Sequence, residues 1–342
     1  GHQALTADTK GNRNVAVGAG TLVTQNFTTA TSVYNVAVGY STGNAITTGV
    51  QNTLIGGLAG DASQTGDANV AVGYLSFSSV ATGDNNTAIG SRSMFSNTSG
   101  SENTGLGKDA LYSNTVGAYN TAVGEGALYN NVDGSNSTAV GRLALYTQDP
   151  ASAVNMYNVA VGYGAGQLVT TGTQNVLIGG LAGDSLNAAN ENVALGYSAL
   201  TADLKGHRSV AIGTATLATQ QFGTSTNTYN TAVGYFAGND ITTGVQNTLI
   251  GGLAGDALTD ADRNVAVGYE ALTADDLGSR TIAVGTGAAG QQNYATATDS
   301  HNICIGDLAG FYNVTGVKNT WLGSAAGVGA SGQSNTGNTG IG

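Results

Sequence analysis

Three aromatic side chains are the residues of this sequence best suited to contact a ligand. They are Phe27, Phe222 and Tyr294, and each follows two amide side chains at the same place in a recurring segment. An aromatic ring offers an apolar face and the amides offer hydrogen bonds, which together suit the face of a sugar. We therefore predict that these residues contact a glycan or another receptor. The alternative is that each ring folds back and packs against its own chain.

A glycine-rich segment that ends in an acid is a second candidate for chemistry. Gly-Gly-Leu-Ala-Gly-Asp occurs at 56–61, 179–184 and 251–256. It is similar to the nonapeptide of calcium-binding β-rolls, but those need tandem nine-residue units with an acid in each. A turn that requires glycine is the better interpretation. No Lys-Ser or Lys-Thr follows the segment, so a phosphate loop is not predicted either.

Catalytic and metal-binding residues are not indicated elsewhere. His2, His207 and His301 occupy different places in the repeat and lie far apart along the chain, so they predict no shared metal site. Isolated histidines of this kind are expected at the surface. The sequence has no matched pair of acids, no nucleophile turn and no recurrent Ser/His/Asp set. We therefore expect no enzyme activity, no cofactor and no metal.

A five-residue phrase, Asn-(Val/Thr/Ile)-Ala-(Val/Ile/Leu)-Gly, dominates the chain and must position these residues. It returns 19 times, mostly with a 17-residue period, and its closing glycines stand at positions 18, 39, 56, 73, 90, 107, 124, 141, 162, 179, 196, 213, 234, 251, 268, 285, 306, 323 and 342. Self-similarity at a short fixed period is the signature of a solenoid, in which each repeat forms one coil. We therefore predict one all-β domain over residues 1–342, a parallel β-solenoid (β-roll) of about 19 coils.

The phrase itself predicts a strand. Position two is Thr, Val or Ile in every copy and position four is Val, Ile or Leu. These two positions share one face of a strand, and the other face reads Asn, Ala and Gly. Neither face carries charge, so the strand is expected to be buried on both sides. The core of the coil can cover one side, and we expect a partner chain to cover the small Asn/Ala/Gly side.

The rest of each coil commonly has Ala three residues after the glycine and Leu or Gly at the fourth, followed by polar turn residues, as in 124–131. This pattern predicts a second short strand and a reversal in each coil. Asn fills position one in 16 of the 19 copies, and the exceptions are Ser137, Ser209 and Thr281. We expect the stacked amides to form a hydrogen-bonded ladder.

Composition limits the partners. The net charge of −11, from 21 acidic and 10 basic residues, argues against nucleic acid, which requires a basic stripe. The apolar runs are too short for a membrane span, and the amino end has no signal segment. The single cysteine, Cys304, forms no intrachain disulfide and is expected to be a small buried apolar side chain. We therefore expect no nucleic-acid partner and no membrane insertion.

Four coils have a 21-residue period instead of a 17-residue one, and they start at Asn14, Ser137, Ser209 and Thr281. The last three starts are equally spaced, four coils apart, which indicates a duplicated four-coil unit. The four-residue insertions contain the three aromatic residues above, so contacts are expected there. The chain begins within a coil and ends on a phrase glycine, so we expect it to be a fragment of a longer fibre chain.

The phrase resembles the Asn-Ser-Val-Ala-Ile-Gly repeat of trimeric autotransporter adhesin heads. It is still more similar to the Asn-Thr-Ala-Val-Gly-Tyr-x-Ala-Leu-Tyr-x-Asn repeats of bacteriophage tail fibres, as residues 120–131 show with Asn-Thr-Ala-Val-Gly-Glu-Gly-Ala-Leu-Tyr-Asn-Asn. The resemblance covers essentially the whole chain. It implies a left-handed roll, a homotrimer, and a place on the virion as a tail fibre or appendage, or on the extracellular cell surface. The implied function is host-surface adhesion through a glycan or protein receptor.

Three other functions stay open. The head of a bacterial trimeric adhesin would share the repeat and would have an anchor and a stalk in further sequence. An ice-binding β-solenoid would need regular rows of Thr, whereas Thr fills position two in only nine copies. A polysaccharide-degrading tailspike would need a pair of acids in a groove. We expect the structural shaft or attachment segment of a phage tail fibre ahead of these.

Overall fold

The computed structural model describes residues 1–79, 82–332 and 334–342, which form 25 short strands. The chain divides into two compact units, residues 1–173 and 174–342, and each is described by itself. Both are parallel β-solenoids, and no helix occurs within the three described ranges. The predicted all-β solenoid is therefore confirmed in each unit.

In the first unit, one three-residue strand comes from each phrase. These strands are β2 (Val15–Val17), β4 (Val36–Val38), β5 (Thr53–Ile55), β6 (Val70–Val72), β7 (Thr87–Ile89), β8 (Thr104–Leu106), β9 (Thr121–Val123), β10 (Thr138–Val140) and β11 (Val159–Val161). Two shorter strands, β1 (Gly11–Asn12) and β3 (Thr31–Ser32), lie in the first long coil and beside it.

The second unit repeats this plan. Its phrase strands are β12 (Val176–Ile178), β13 (Val193–Leu195), β15 (Val210–Ile212), β17 (Thr231–Val233), β18 (Thr248–Ile250), β19 (Val265–Val267), β21 (Ile282–Val284), β23 (Ile303–Ile305), β24 (Thr320–Leu322) and β25 (Thr339–Ile341). Its shorter strands are β14 (Gly206–His207), β16 (Thr226–Asn227), β20 (Gly278–Ser279) and β22 (Thr298–Asp299).

Each phrase strand pairs in parallel with the next one in its unit, in a register that puts phrase on phrase. In β9 and β10, Thr121 pairs with Thr138 and Val123 with Val140. The short strands pair in the same way as β1–β3, β14–β16 and β20–β22. The remaining long coil has a single parallel bridge at the corresponding place, between Ser135 and Asn155. The insertions of the long coils therefore extend the pairing between coils.

The two faces of the phrase strand are placed opposite to the prediction. The third position faces the interior, and Ala122 in β9 and Leu249 in β18 are buried. Positions two and four face outward, so that Val17 is 55% exposed and Leu106 is 44% exposed. The prediction that the small Asn/Ala/Gly side needs a partner chain is therefore wrong. Ala suffices at most third positions because a larger residue of the turns that follow the phrase, such as Leu128, fills the interior opposite it, and it is the β-branched side that stays uncovered.

The asparagine ladder explains why the polar first position can be buried. The Nδ2 of Asn103 donates to the carbonyl oxygen of Gly117 across the coil at 2.8 Å. Its Oδ1 accepts the backbone N–H of Asn120 in the next coil at 2.9 Å. A buried amide is tolerated only when its hydrogen bonds are made, and here they are made within one chain. The predicted ladder is confirmed, although its main bonds join amides to the backbone.

The predicted second strand of each 17-residue coil does not occur in the described residues. The segment after the glycine is a run of turns in which left-handed residues alternate, as at Gly126 (φ 65°) and Leu128 (φ 51°). These turns still stack on one another, because Gly126 N–H donates to the Lys108 carbonyl and Leu128 N–H to the Ala144 carbonyl. The interior is therefore lined by strands on one side and by a hydrogen-bonded column of turns on the other.

The closing glycine of the phrase is required by geometry. Gly124 has φ 129°, which side chains with a Cβ rarely adopt. A Cβ at this position would lie 2.6 Å from the carbonyl oxygen of Gly141 in the next coil. Coils can therefore stack at β-strand spacing only with glycine at this corner.

Candidate functional site

The three predicted contact residues lie inside the chain. Phe27, Phe222 and Tyr294 are only 8%, 6% and 4% exposed. The phenol of Tyr294 donates to the carbonyl oxygen of Gly316 at 2.8 Å and accepts a bond from Nδ2 of Asn302 at 3.1 Å. Burial raises the pKa of this phenol above its ordinary value. The rings present no face to a ligand, because they fold back over their own coil and pack locally.

The glutamine two residues before each ring joins a buried polar cluster that the sequence analysis missed. In the second unit, Nε2 of Gln220 donates to Oδ2 of Asp203 at 2.6 Å, and both side chains are buried. The backbone N–H groups of Gly206 and Phe222 donate to Oδ1 of the same carboxylate at 3.0 and 3.2 Å. The buried carboxylate of Asp203 therefore accepts hydrogen bonds from its own coil and from the long coil that follows, where Gln220 is the side-chain donor.

The same cluster recurs at Asp275 and Gln292, where the Nε2 to Oδ2 distance is 2.6 Å. Burial raises the pKa of Asp275 to about 6, although Gln292 and Gly278 donate hydrogen bonds to it. Burial also raises the pKa of Asp203. The signal in the sequence is an acid that precedes the glutamine of a long coil by one coil, as in Asp203–Gln220 and Asp275–Gln292.

The outward face of the phrase strands is an apolar surface. We define the outward face as the side chains at positions two and four, and position four is Val, Ile or Leu in every copy. In the first unit Ile55, Ile89 and Leu106 are 40%, 36% and 44% exposed. In the second unit Leu195 and Ile250 are 42% and 41% exposed. Because the strands stack in register within each unit, the side chains at position four form a continuous aliphatic row, which is typical of a contact surface, and Thr, Val and Ile form the row at position two.

Tyrosines border the outward face in sequence. The residue that follows the phrase is an exposed tyrosine at Tyr40, Tyr74, Tyr163, Tyr197, Tyr235 and Tyr269, and the residue that precedes it is one at Tyr34, Tyr119, Tyr157 and Tyr229. Three of them have a guanidinium over the ring: Arg13 on Tyr34, Arg142 on Tyr163 and Arg208 on Tyr229. Tyrosine and arginine are enriched where proteins contact partners, because they combine a large apolar surface with hydrogen-bonding groups.

A column of stacked rings marks the middle of the first unit. Phe95, Tyr112, Tyr129 and Tyr146 stack with centroid distances of 5.2, 4.9 and 5.0 Å. A depression of about 250 Å³ beside it is lined by Lys108, Asp109, Glu125, Gly126, Tyr129, Leu143 and Tyr146. The charged groups are paired with one another, for instance Lys108 with Asp109 at 2.8 Å. The rings cover each other's faces and leave their edges to solvent, so this column stiffens the coils more readily than it binds a planar ligand.

A second recess, which we name the His207 recess, lies in the second unit. It has a volume of about 230 Å³ and is lined by Asn190, Glu191, His207, Arg208, Ser225 and Asn227. His207 is only 9% exposed, so the expectation of a surface histidine is wrong for this residue, whereas His2 and His301 are exposed.

The His207 ring makes two hydrogen bonds. Its Nδ1 accepts the backbone N–H of Asn190 at 2.9 Å, and its Nε2 lies 2.6 Å from Oγ of Ser225. Because Nδ1 acts as the acceptor, the proton of the neutral ring is on Nε2 and points to the serine. A histidine in this tautomer donates to Ser225 and does not accept its proton, so the pair is not arranged as a nucleophile and its base.

The described part of the chain holds neither a metal cluster nor a membrane helix. Residues 1–79, 82–332 and 334–342 contain no group of three or more His, Cys, Asp or Glu side chains placed to hold a metal ion. Nor does any helix in those ranges have the length and apolar character needed to cross a membrane. Cys304 is buried, and burial raises the pKa of its thiol to about 12.

Comparison with known proteins gave no match to a protein-family model and no match to a curated protein.

Proposed function

We propose that this chain is the structural shaft and attachment segment of a homotrimeric surface fibre, and that the fibre is a bacteriophage tail fibre that adheres to the host surface. The observation that carries the proposal is the outward face, an uncharged surface with an aliphatic side chain at position four of every phrase, which each unit leaves in contact with water. Apolar surface of this kind is stabilised by burial at roughly 25 cal/mol per Å². A second and a third copy of the chain would supply the missing cover.

The geometry of the outward face favours identical partners. Each coil adds one side chain to each row of the outward face, so the rows of two copies have the same spacing and can pack side by side along their length. A cyclic arrangement of three copies turns all three outward faces toward one axis and leaves none in solvent. Trimerisation would also present every attachment site in three copies and so increase the avidity for a host surface.

The remaining parts of the proposal rest on the resemblance of the phrase to tail-fibre repeats. They are a left-handed coil, a non-enzymatic role without cofactor, and a location on the virion. The receptor would be a glycan or protein of the host cell surface. The head of a bacterial trimeric adhesin is the alternative that the same outward face supports equally well.

An ice-binding solenoid is a further alternative that one observation favours. Position two carries Thr in nine copies, and these side chains point outward, as Thr121 and Thr138 do beside each other in β9 and β10. Val or Ile interrupts the threonine row elsewhere, so the hydroxyl array is not continuous. Thermal hysteresis in a cooled solution of the protein would favour this function over the fibre.

The proposal is tested by the mass of the purified chain in solution, measured by light scattering. We expect three times the chain mass of 33.8 kDa, because burial of the outward face requires partner copies. A mass of 33.8 kDa at micromolar concentration would contradict the trimer and with it the fibre.

A further inference from the structure

The His207 recess contains a residue that the repeat does not need. In each duplicated unit, the residue two places before position one accepts a backbone N–H from the preceding coil. Ser135 Oγ accepts the N–H of Ala118 at 3.0 Å, and Ser279 Oγ accepts that of Asp262 at 2.9 Å. His207 does the same for Asn190 with its Nδ1. A serine hydroxyl is sufficient for this bond, so the imidazole of His207 is not explained by the fold.

The second ring nitrogen of His207 has a partner that is equally particular to this coil. Nε2 lies 2.6 Å from Oγ of Ser225. The equivalent residues of the preceding and the following duplicated units are Ala153 and Ala297, which have no hydroxyl. The histidine and the serine therefore depart from the repeat together, at the wall of one recess.

An ion pair also lines the recess. Nε of Arg208 donates to Oε2 of Glu191 at 2.8 Å, and the guanidinium also donates to the phenol of Tyr229 at 2.9 Å. The residues equivalent to Glu191 one duplicated unit earlier and one later are Tyr119 and Arg263. Of these three residues, Glu191 alone has a carboxylate. The hydrogen bond from Arg208 lowers the pKa of Glu191, so its carboxylate is charged at neutral pH.

The chemistry of the lining selects a class of ligand. Glu191 disfavours an anion and Arg208 disfavours a cation, because either would face a like charge. Nε of Arg208 and Oε2 of Glu191 bond to each other, so the groups left for a ligand are the further N–H groups of the guanidinium and the further lone pairs of the carboxylate. These donors and acceptors lie side by side, an arrangement that suits neighbouring hydroxyl groups. The hydroxyl of Ser225 and the amide of Asn227 add further hydrogen-bonding groups, and the exposed ring of Tyr229 lies next to Arg208.

We propose that the His207 recess binds a neutral monosaccharide unit, with Glu191 and Arg208 contacting vicinal hydroxyl groups and His207 fixing Ser225 at the wall. The source of the sugar rests on the proposed function: if the chain is the fibre segment proposed above, the monosaccharide belongs to a glycan of the host surface. The volume of about 230 Å³ is sufficient for one sugar ring.

The repeat provides matched variants for the test. His207→Ser installs the residue type that the chain has at Ser135 and Ser279, so it keeps the bond to Asn190 N–H and removes only the imidazole. Glu191→Gln removes the charge of the acceptor while keeping its size. Arg280→Ala is the control, because Arg280 is the equivalent of Arg208 one duplicated unit later, beside Ser279.

The experiment is saturation-transfer NMR on the full chain with free glucose, galactose, mannose, rhamnose and N-acetylglucosamine, with light scattering and circular dichroism on the same samples. We expect at least one sugar to receive transfer from the wild-type protein. We expect its affinity to fall about tenfold or more in Glu191→Gln, because hydrogen bonds to a charged acceptor are weakened, and in His207→Ser, because Ser225 loses the partner that fixes it. We expect the affinity to be unchanged in Arg280→Ala.

Two results would overturn the assignment. One is the absence of transfer to all five sugars at millimolar concentration. The other is equal transfer with the wild type, His207→Ser and Glu191→Gln, which would place any sugar elsewhere on the chain. A trimeric mass without sugar binding rejects the recess and keeps the fibre, whereas a monomeric mass with sugar binding keeps the recess and rejects the fibre.

Discussion

At the scale of single residues, buried polar side chains do as much as apolar ones to define the coil. Asn103 bonds across its coil to Gly117 and along the stack to Asn120, so one side chain fixes both the width of the coil and its register with the next. Glycine at the end of the phrase lets the corners stack closely. A substitution at either place leaves a clash or unpaired buried groups, which accounts for the uniformity of the phrase.

The buried Asp275 carboxylate predicts a dependence of stability on pH. Its pKa is about 6 in the folded chain against an ordinary value of 3.8, because burial disfavours the charged form. Between these values the folded state binds more protons than the unfolded state, so the free energy of unfolding falls as pH rises from about 4 to about 6. The full effect is on the order of 3 kcal/mol. We expect Asp275→Asn to flatten this slope in urea unfolding between these pH values.

The control for this prediction is Asp299→Asn, which removes an exposed carboxylate that pairs with Arg280 at the surface. Protein concentration must be the same throughout, because association changes the apparent stability. Identical slopes for the wild type and Asp275→Asn would contradict the assignment of the pH dependence to this residue.

At the scale of the coil, large and small interior residues compensate for each other. The third position of the phrase is usually Ala, as in Ala122, and Leu128 then fills the interior from the turn column. Where the phrase has Leu249 instead, both turn residues that face it are glycine: a Cβ on Gly238 or Gly255 would lie 2.7 or 2.8 Å from its methyl groups. The filled volume of the interior therefore stays similar from coil to coil, whether the large side chain comes from the phrase strand or from the turn column.

Trp321 is the extreme case of this compensation. The indole occupies a third position between Cys304 and Gly340 in the neighbouring strands. A Cβ on Gly327 would come within 2.1 Å of the ring, and one on Gly340 within 2.7 Å. Three glycines, including Gly310, therefore make room for the bulkiest side chain of the interior.

The compensation predicts a rescue between two residues of one coil. Leu249→Ala should lower the free energy of unfolding by about 3 kcal/mol, because it leaves a cavity. Adding Gly255→Leu creates the Ala and Leu combination of the neighbouring coils and should recover more than half of that loss. Equilibrium urea unfolding of both single variants and the double variant measures the coupling. Additive losses would show that the two residues do not fill the same space.

At the scale of the whole molecule, the proposed function depends on the outward face being a subunit interface. Charge introduced there should prevent association without disturbing the interior, because positions two and four point away from it. In the first unit, Ile89 and Leu106 are neighbours on β7 and β8 at the fourth position. They are also 36% and 44% exposed in the single chain, so glutamate can be accommodated at both sites when no partner is present.

We therefore expect the double variant Ile89→Glu/Leu106→Glu to have a mass of 33.8 kDa in light scattering, against the threefold mass proposed for the wild type. Burying carboxylates without partners at an interface opposes association by several kcal/mol. Ser99→Glu adds a carboxylate at an exposed turn residue and should leave the mass of the wild type unchanged. A trimeric double variant with unchanged circular dichroism would place the subunit interface elsewhere.

The period of the sequence is enough to predict most of the coil. The 17-residue step, the β-branched second position and the stacked Asn residues predict a parallel solenoid with an amide ladder, and Asn103 with Asn120 confirms the ladder. The prediction of a strand after the glycine is wrong, because Leu128 and its equivalents adopt a left-handed conformation that propensity alone does not indicate. The stacking of coils on both sides of this segment imposes that conformation.

The candidate site is predicted less well than the coil. The position of Phe27, Phe222 and Tyr294 in insertions favours exposure, yet the insertions fold back and bury the rings. His207 looks like an ordinary surface residue in the sequence, because its partners Ser225 and Asn190 belong to the next and the preceding coil. Only the stacking of coils brings these groups into one recess.

The sequence by itself determined that the chain coils, where each coil begins and which positions share a face, since these follow from period and residue type. The tertiary structure decided which face is inside. Both faces of the phrase are uncharged, so the residue pattern alone does not tell which face is buried. The small face is inside because its Asn side chains complete their hydrogen bonds across the coil and along the stack, as Asn103 does, and the β-branched face is then left outside.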